Sequence, residues 1–267
     1  MRKIIIIILL VITSSASYAE HFVGIAVSPA ATWQLDTLSS TRSLPGIAAN
    51  LGFVYQYQHK ALMLQTGINL GFTTMRQDLD SMYIGQNTLL RNRVDDIHSL
   101  DLSLPLMMGF QQNHFYAIAG VRLAIASNAT TSQRGSIAVR QEDDRFHEDY
   151  NKAFLDTSTF HSKGKITISP DLRACLEIGT QLHVYKYHRV GDYNPILQIG
   201  LFAEYSVLYN HPTNYTETNT ANHTDIAPQH IYAQYINQDL KINHLHAGIR
   251  LRLLFDITND DCHCEDF

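Results

Sequence analysis

Three residues in the second half of the chain have the side chains of an activated nucleophile. Glu204, Ser206 and His246 are a carboxylate, a hydroxyl and an imidazole, and such a set can attack an acyl bond. The chemistry also needs donors that stabilise an oxyanion, and no motif for an oxyanion loop accompanies these residues. We therefore predict no catalytic residue, and we predict that the chain is not an enzyme.

A short motif near the C-terminus contains metal-binding side chains. Cys262-His263-Cys264 offers two thiols and an imidazole, which can bind zinc or copper. Ligands at adjacent positions rarely complete a closed site, and no second ligand cluster follows at a suitable spacing. We expect a disordered tail or a disulfide here, and neither a metal nor a cofactor. The third cysteine, Cys175, is expected at an inward position as a small buried side chain.

The first 19 of the 267 residues have the pattern of a secretory signal peptide. Arg2 and Lys3 precede the apolar run Ile4–Ile12, and Ser17 and Ala19 are the small residues that signal peptidase needs. Nine apolar residues are too few to span a bilayer as a helix. The remaining 18 basic and 25 acidic residues give the predicted mature chain a net charge of −7, which argues against nucleic acid as a partner.

The elements that must position these side chains are strands, because hydrophobicity alternates with a period of two. In Leu100–Gln111, for example, every even position is apolar while Asp101, Ser103 and Gln111 occupy odd positions. The apolar faces are ten or more residues long, which fits transmembrane strands better than the short strands of soluble sheets. Eight segments show the pattern: Phe22–Trp33, Ile47–Tyr57, Ala61–Phe72, Leu100–Gln111, Phe115–Ile125, Ile166–Val184, Asn194–Tyr209 and His244–Ile257.

Short and long connections alternate strictly between these segments. The short ones lie near 58–60, 112–114 and 185–193, and the long ones are 34–46, 76–97, 127–165 and 210–242. Short periplasmic turns and long extracellular loops are typical of outer-membrane barrels. We therefore predict an eight-stranded antiparallel up-and-down transmembrane β-barrel over residues 20–257, followed by a periplasmic tail, 258–267. A soluble lipocalin-like barrel, with a polar exterior, is the alternative fold.

The faces opposite the apolar ones carry charges that the predicted barrel would enclose. Four are basic and five are acidic, so nearly all of them can pair and fill the lumen, and we expect no open channel. Leu251 and Leu253 should face lipid between inward arginines. The predicted inward charges are Asp101, Arg122, Asp171, Arg173, Glu177, Glu204, Arg250, Arg252 and Asp256.

Four stretches of the chain resemble PorT-like outer-membrane β-barrel-domain proteins of Gram-negative bacteria. They are GINLGF (Gly67–Phe72), SLDLSLPLMMGF (Ser99–Phe110), AIAGVRLAI (Ala117–Ile125) and HAGIRLRLLFDI (His246–Ile257). The resemblance covers all eight segments and none of the long loops, and it implies an outer-membrane barrel. Some members of the group belong to secretion machinery. One departure is the tail that follows Ile257, since barrel proteins commonly end on an aromatic residue of the last strand.

The expected function is that of a non-enzymatic outer-membrane barrel with surface-exposed loops, in surface recognition, envelope integrity or secretion-machinery assembly. The alternative is a small transport barrel or a lipid-modifying outer-membrane enzyme. Expected partners are outer-membrane lipid and a protein or polysaccharide at the long loops, and no nucleic acid. The loops are either flexible and solvated or a recognition surface held by the rigid barrel.

Overall fold

The computed structural model describes residues 19–35, 41–85, 88–140, 154–183, 195–208, 212–221 and 243–258. These ranges form eleven strands: β1 (Glu20–Leu35), β2 (Thr41–Leu44), β3 (Gly46–His59), β4 (Leu62–Gly85), β5 (Thr88–Gln112), β6 (Phe115–Arg140), β7 (Phe154–Ile168), β8 (Asp171–His183), β9 (Pro195–Ser206), β10 (Pro212–Ala221) and β11 (Asn243–Asp256). A helix with the length and apolarity to cross a membrane is absent from these ranges. The predicted signal peptide, 1–19, and the predicted tail, 258–267, lie outside them except for residues 19 and 258.

Eight of the strands form a closed antiparallel ring. The hydrogen-bonded order β6-β5-β4-β3-β1-β11-β9-β8 is completed by a direct pairing of β6 with β8. Each of the eight predicted segments coincides over most of its length with one of the eight ring strands, so the predicted eight-stranded up-and-down barrel is confirmed. The sixth segment differs in detail, because Ser169 and Pro170 divide it into β7 and β8. Proline has no N–H for a ladder, and this interruption lets β6 change its partner from β8 to β7.

The strands are strongly staggered around the ring. One row of Cα partners begins at Met63 in β4 and returns to β4 at Thr73, ten residues farther along the chain. A stagger of this size requires strands tilted by about 35–45° to the barrel axis. The row passes through Gly109, Ile118, Glu177, Phe202, Gly248, Ala30 and Ala48 before it reaches Thr73.

The exterior of the barrel is apolar and its interior is polar. Outward Phe53 and Leu106 are 74% and 67% exposed, whereas inward Gln56 and Gln198 are fully buried. A barrel in water would have the opposite arrangement, since exposed apolar patches of this extent are avoided in soluble proteins. The soluble alternative is therefore wrong, and the architecture is that of a transmembrane barrel.

Within the described residues, the segments predicted as long loops are largely strands. β4, β5 and β6 have 24, 25 and 26 residues, more than twice the length that crosses a membrane. Their upper parts pair with each other, and β7, β2 and β10 add to this sheet. We call the part of this sheet that lies beyond the barrel the extension. It comprises β4 after residue 73, β5 before residue 99 and β6 after residue 128, together with the strands that pair with them. Alternation of hydrophobicity did not reveal it, because its outward face is also polar, as at Arg76 and Asp96.

Two of the predicted short connections are two-residue turns. Lys60 and Ala61 join β3 to β4, and Asn113 and His114 join β5 to β6. Lys60 and Asn113 each adopt a positive φ, 54° and 55°, which reverses the chain within two residues. The third predicted short connection, at 185–193, lies outside the described residues.

Candidate functional site

The barrel lumen gathers most of the charged residues that the alternation placed inward. Eight of the nine predicted residues are buried, with exposures of 1–5%. Asp256 is the exception, because it is half-buried at the end of β11. Its Oδ1 accepts hydrogen bonds from the backbone N–H and the hydroxyl of Thr258. Asp256 therefore caps the strand end.

Glu177 on β8 is the centre of the lower charge cluster. Arg252 donates to it through both terminal nitrogens, at 2.5 Å from Nη1 to Oε1 and 2.6 Å from Nη2 to Oε2. Arg250 donates from Nη1 to Oε2 at 2.8 Å. The Tyr116 hydroxyl donates to Oε1 at 2.7 Å. A carboxylate that accepts four hydrogen bonds joins β6, β8 and β11 across the lumen.

Glu204 on β9 is the centre of a second cluster, one layer higher. Arg250 reaches it from Nη2 to Oε1 at 2.6 Å, and Arg122 from Nη2 to the same oxygen at 3.0 Å. Arg250 thus bridges Glu177 and Glu204. Its guanidinium also lies over the Phe202 ring, 4.3 Å from the centroid, and a cation over an aromatic face is stabilised by the ring quadrupole.

Arg173 on β8 forms the third cluster, at the upper end of the lumen. Its Nε donates to Asp171 Oδ2 at 2.6 Å, and its Nη2 lies 3.5 Å from Asp101 Oδ2. The Ser206 hydroxyl donates to the other oxygen of Asp171 at 2.7 Å. The predicted pairing is therefore confirmed for all four arginines and for four of the five acids. Four charges of each sign give the buried set no net charge, which limits its desolvation cost.

Two glycines make room for these clusters. A Cβ on Gly200 would lie 2.7 Å from Glu177 Oε1 and would also clash with the Tyr116 hydroxyl. A Cβ on Gly71 would clash with Asp101 Oδ1. At both positions the missing side chain lets a charged group from another strand lie against the barrel wall.

Apolar side chains and tight packing close the lumen around the charges. Phe22, Ala26, Val54, Ile196 and Leu254 form a buried cluster at the end near the short turns. Two cavities beside the charges are small, ≈ 20 Å³ beside Arg173 and ≈ 10 Å³ beside Arg122, Arg250 and Arg252. Volumes of this size hold about one water molecule each. Within the described residues, the lumen is filled by side chains.

The filled lumen predicts that the purified monomer does not conduct like a porin. Eight strands enclose only enough space for side chains, and here salt bridges inside the lumen join β11 to β8, its second neighbour in the ring. Planar-bilayer recordings on folded, heat-modifiable protein should show no steady channel. A steady conductance in the nanosiemens range from the monomer would contradict this and would favour a transport role.

The residues considered as a nucleophilic set are not assembled for that chemistry. Ser206 donates to Asp171, and both arginines beside Glu204 occupy its Oε1. His246 lies opposite Glu204 in the ladder, but its Nε2 has no hydrogen-bond partner among the described residues. No hydrogen bond between Ser206 and His246 occurs in the described part of the chain, so a serine–histidine pair is not formed there.

The predictions for the three cysteines have different outcomes. Cys175 is inward and 5% exposed, as predicted, and it packs with Met63, Met107 and Ile118. The motif Cys262-His263-Cys264 lies outside the described residues. In the ranges that the structure does describe, no three metal-ligating side chains come together.

Sequence analysis missed a buried ion pair in the extension. Arg93 and Asp95 are two residues apart on β5, 1% and 2% exposed, and Arg93 Nε lies 3.2 Å from Asp95 Oδ1. Burial raises the pKa of Asp95 from 3.8 to about 6, and the attraction of Arg93 opposes this rise only in part. The signal was present as a charged pair at positions i and i+2, which share one face of a strand.

The raised pKa of Asp95 predicts a pH-dependent stability of the extension. The folded state binds the proton more tightly than the unfolded state, so stability should fall as pH rises from about 4 to 6 and stay level above. We expect Asp95→Asn to remove this slope, because asparagine does not titrate. Hydrogen exchange of β5 amides between pH 4.5 and 7.5 measures this pH dependence of stability, with Asp78→Asn as the outward-facing control. An unchanged slope in Asp95→Asn would contradict the assignment.

Comparison with known proteins shows similarity to solved barrels of outer-membrane type. The Yersinia pestis attachment invasion locus protein Ail, in complex with the heparin analogue sucrose octasulfate, is 11% identical, covering 87% of this chain and 99% of its own, with a TM-score of 0.32. Neisserial surface protein A is 13% identical over 86% and 96%, with a TM-score of 0.31. Acinetobacter baumannii CarO has the same identity and coverage and a TM-score of 0.34.

No protein-family model and no curated protein matches the chain. Identities of 11–13% do not transfer a ligand or an activity from those structures to this chain. The fold itself stands on the closed ring of eight strands, with its apolar exterior and charged interior.

Proposed function

We propose that this chain is a non-enzymatic outer-membrane protein whose filled barrel anchors a sheet on the cell surface, where the sheet recognises a partner. The length of β4, β5 and β6 carries the proposal. A transmembrane strand needs about 9–11 residues, and these strands have 24–26. The excess of about 14 residues extends about 45 Å along each strand.

Surface recognition fits this shape better than the other roles considered. The extension stands at the end of the long connections, and the described connections at the opposite end are two-residue turns. A protein built for periplasmic assembly would be elaborated at the other end. The filled lumen argues against transport, and the unassembled Glu204, Ser206 and His246 argue against hydrolysis.

The orientation is tested by labelling single cysteines in cells. In a chain with Cys262 and Cys264 replaced by serine, Thr159→Cys places a thiol on an exposed position of β7, and Lys60→Cys places one in the β3–β4 turn. A membrane-impermeant maleimide should label residue 159 in intact cells and residue 60 only after permeabilisation. Cys175 is buried and should remain unlabelled in both. The reverse pattern would overturn the proposed display of the extension.

A further inference from the structure

The outward face of the extension carries a row of basic side chains, which we call the basic strip. It consists of Arg134 on β6 and His161, Lys163 and Lys165 on β7, all exposed. Arg134 lies opposite His161 in the ladder, and the two lysines follow at alternate positions on the same face. Charges at i and i+2 on a strand are about 7 Å apart, so the basic strip presents positive groups at a regular spacing.

Acidic side chains are absent from the two strand segments that form the basic strip. Residues 129–137 and 159–167 contain no Asp or Glu, although the whole chain has a net charge of −5. The nearest outward carboxylate on the neighbouring strand β5 is Asp96, and Arg76 already holds it at 2.6 Å. On its other side β7 pairs with β10, where Glu217 lies opposite the inward Gly164. The two segments thus carry a net positive charge, opposite to that of the chain, and this favours an anionic partner.

The residues between the charges add hydrogen-bonding groups. Ser132 lies opposite Lys163, and Thr130 lies opposite Lys165. Lysine, arginine and hydroxyl donors together suit the oxygens of phosphate or sulfate groups. The described outward residues of the basic strip include no Phe, Tyr or Trp, the large rings on which successive bases of a single strand usually stack, and this disfavours single-stranded nucleic acid.

The height of the basic strip above the membrane distinguishes anions of lipid headgroups from anions that lie farther from the bilayer. Lys165 pairs with Thr130 on β6, which lies five residues beyond the exposed apolar Ile125 on the same continuous strand. Five residues extend about 16 Å along a strand, or about 12 Å in height at a tilt of about 40°. The headgroup layer is only about 5–8 Å thick on each side of the hydrocarbon. The basic strip therefore stands above lipid headgroups.

From charge, donors and height, we propose that the basic strip binds an anionic polysaccharide that bears phosphate or sulfate groups. This inference rests on the proposed surface display and names the chemistry of the partner. The flat sheet with regularly spaced charges fits an extended polymer better than a single small anion, because each exposed contact contributes little and several must add.

Binding of dextran sulfate to the purified full-length protein in an uncharged detergent tests the proposal. We expect binding that weakens with added salt, and none to neutral dextran. The triple variant Arg134→Gln/Lys163→Gln/Lys165→Gln should lose about tenfold in affinity, since three modest contacts are removed. Lys60→Gln, at the opposite end of the barrel, should bind like the wild type. Unchanged heat-modifiability shows that each variant is folded. The single variant Lys165→Gln should lose less affinity than the triple variant and gives a second measurement.

Three results would overturn the proposal. One is equal binding of dextran sulfate by the wild type and by folded strip variants. Another is tighter binding of an oligothymidylate of equal charge, which would identify a nucleic-acid surface. The third is strip-dependent binding to phosphatidylglycerol vesicles with none to dextran sulfate, which would identify a lipid contact. Labelling of residue 159 in intact cells without dextran sulfate binding would refute only this inference, whereas failure of labelling would refute the display.

Discussion

Replacing Glu177 with glutamine should destabilise the barrel more than any other single change that preserves side-chain shape. Glu177 accepts hydrogen bonds from Arg250, Arg252 and Tyr116, and it is 1% exposed. The glutamine would leave the buried guanidinium of Arg252 without a carboxylate and that of Arg250 with Glu204 alone, and it would give the lumen a net charge of +1. Removing one member of a buried ion pair costs about 3–5 kcal/mol. Urea unfolding of the refolded protein in detergent, followed by heat-modifiability, measures this loss.

Two controls separate the charge balance from simple damage to the core. In Glu177→Gln/Arg252→Gln the lumen is again neutral, so part of the lost stability should return, and a double-mutant cycle gives the coupling. Glu20→Gln, at the exposed end of β1, should have little effect. If Glu177→Gln were as stable as the wild type, the salt bridges would not hold the barrel together.

Replacing Leu251 with arginine should have the second largest effect, through the lipid rather than the lumen. Leu251 is 41% exposed on the outer face of β11, and its neighbours Arg250 and Arg252 are buried inside. An arginine on the lipid face costs about 2–4 kcal/mol near the midplane and about 0–1 near the interface. Folding into vesicles, titrated with urea, measures this cost.

Ile257→Arg is the matched control for Leu251→Arg. Ile257 is 45% exposed and has the same outward phase, but it lies just beyond the end of β11. We expect it to insert nearly as well as the wild type. Equal losses at residues 251 and 257 would contradict the placement of the hydrocarbon layer along β11.

The amino-acid sequence by itself determined the barrel and the content of its lumen. Alternation at period two is a local property, so residues such as Leu106 and Leu251 were assigned outward, and Arg122 and Glu177 inward, without knowledge of the partners. Strand number and the two described turns followed from the same signal. The predicted neutralisation of charge was also correct, because a buried unpaired charge is too costly to retain.

Only the tertiary structure decided which charges pair and how far the strands continue. Glu177 contacts Arg252, which is 75 residues away, because β8 and β11 both pair with β9 and these two registers place the side chains close together in the lumen. The same register turns Ser206 towards Asp171 instead of His246. The sequence pattern did not reveal the extension, because both faces of its strands carry polar side chains. Hydrophobicity therefore does not alternate along these segments. Pairing with neighbouring strands, which are distant in sequence, is what makes these segments strands.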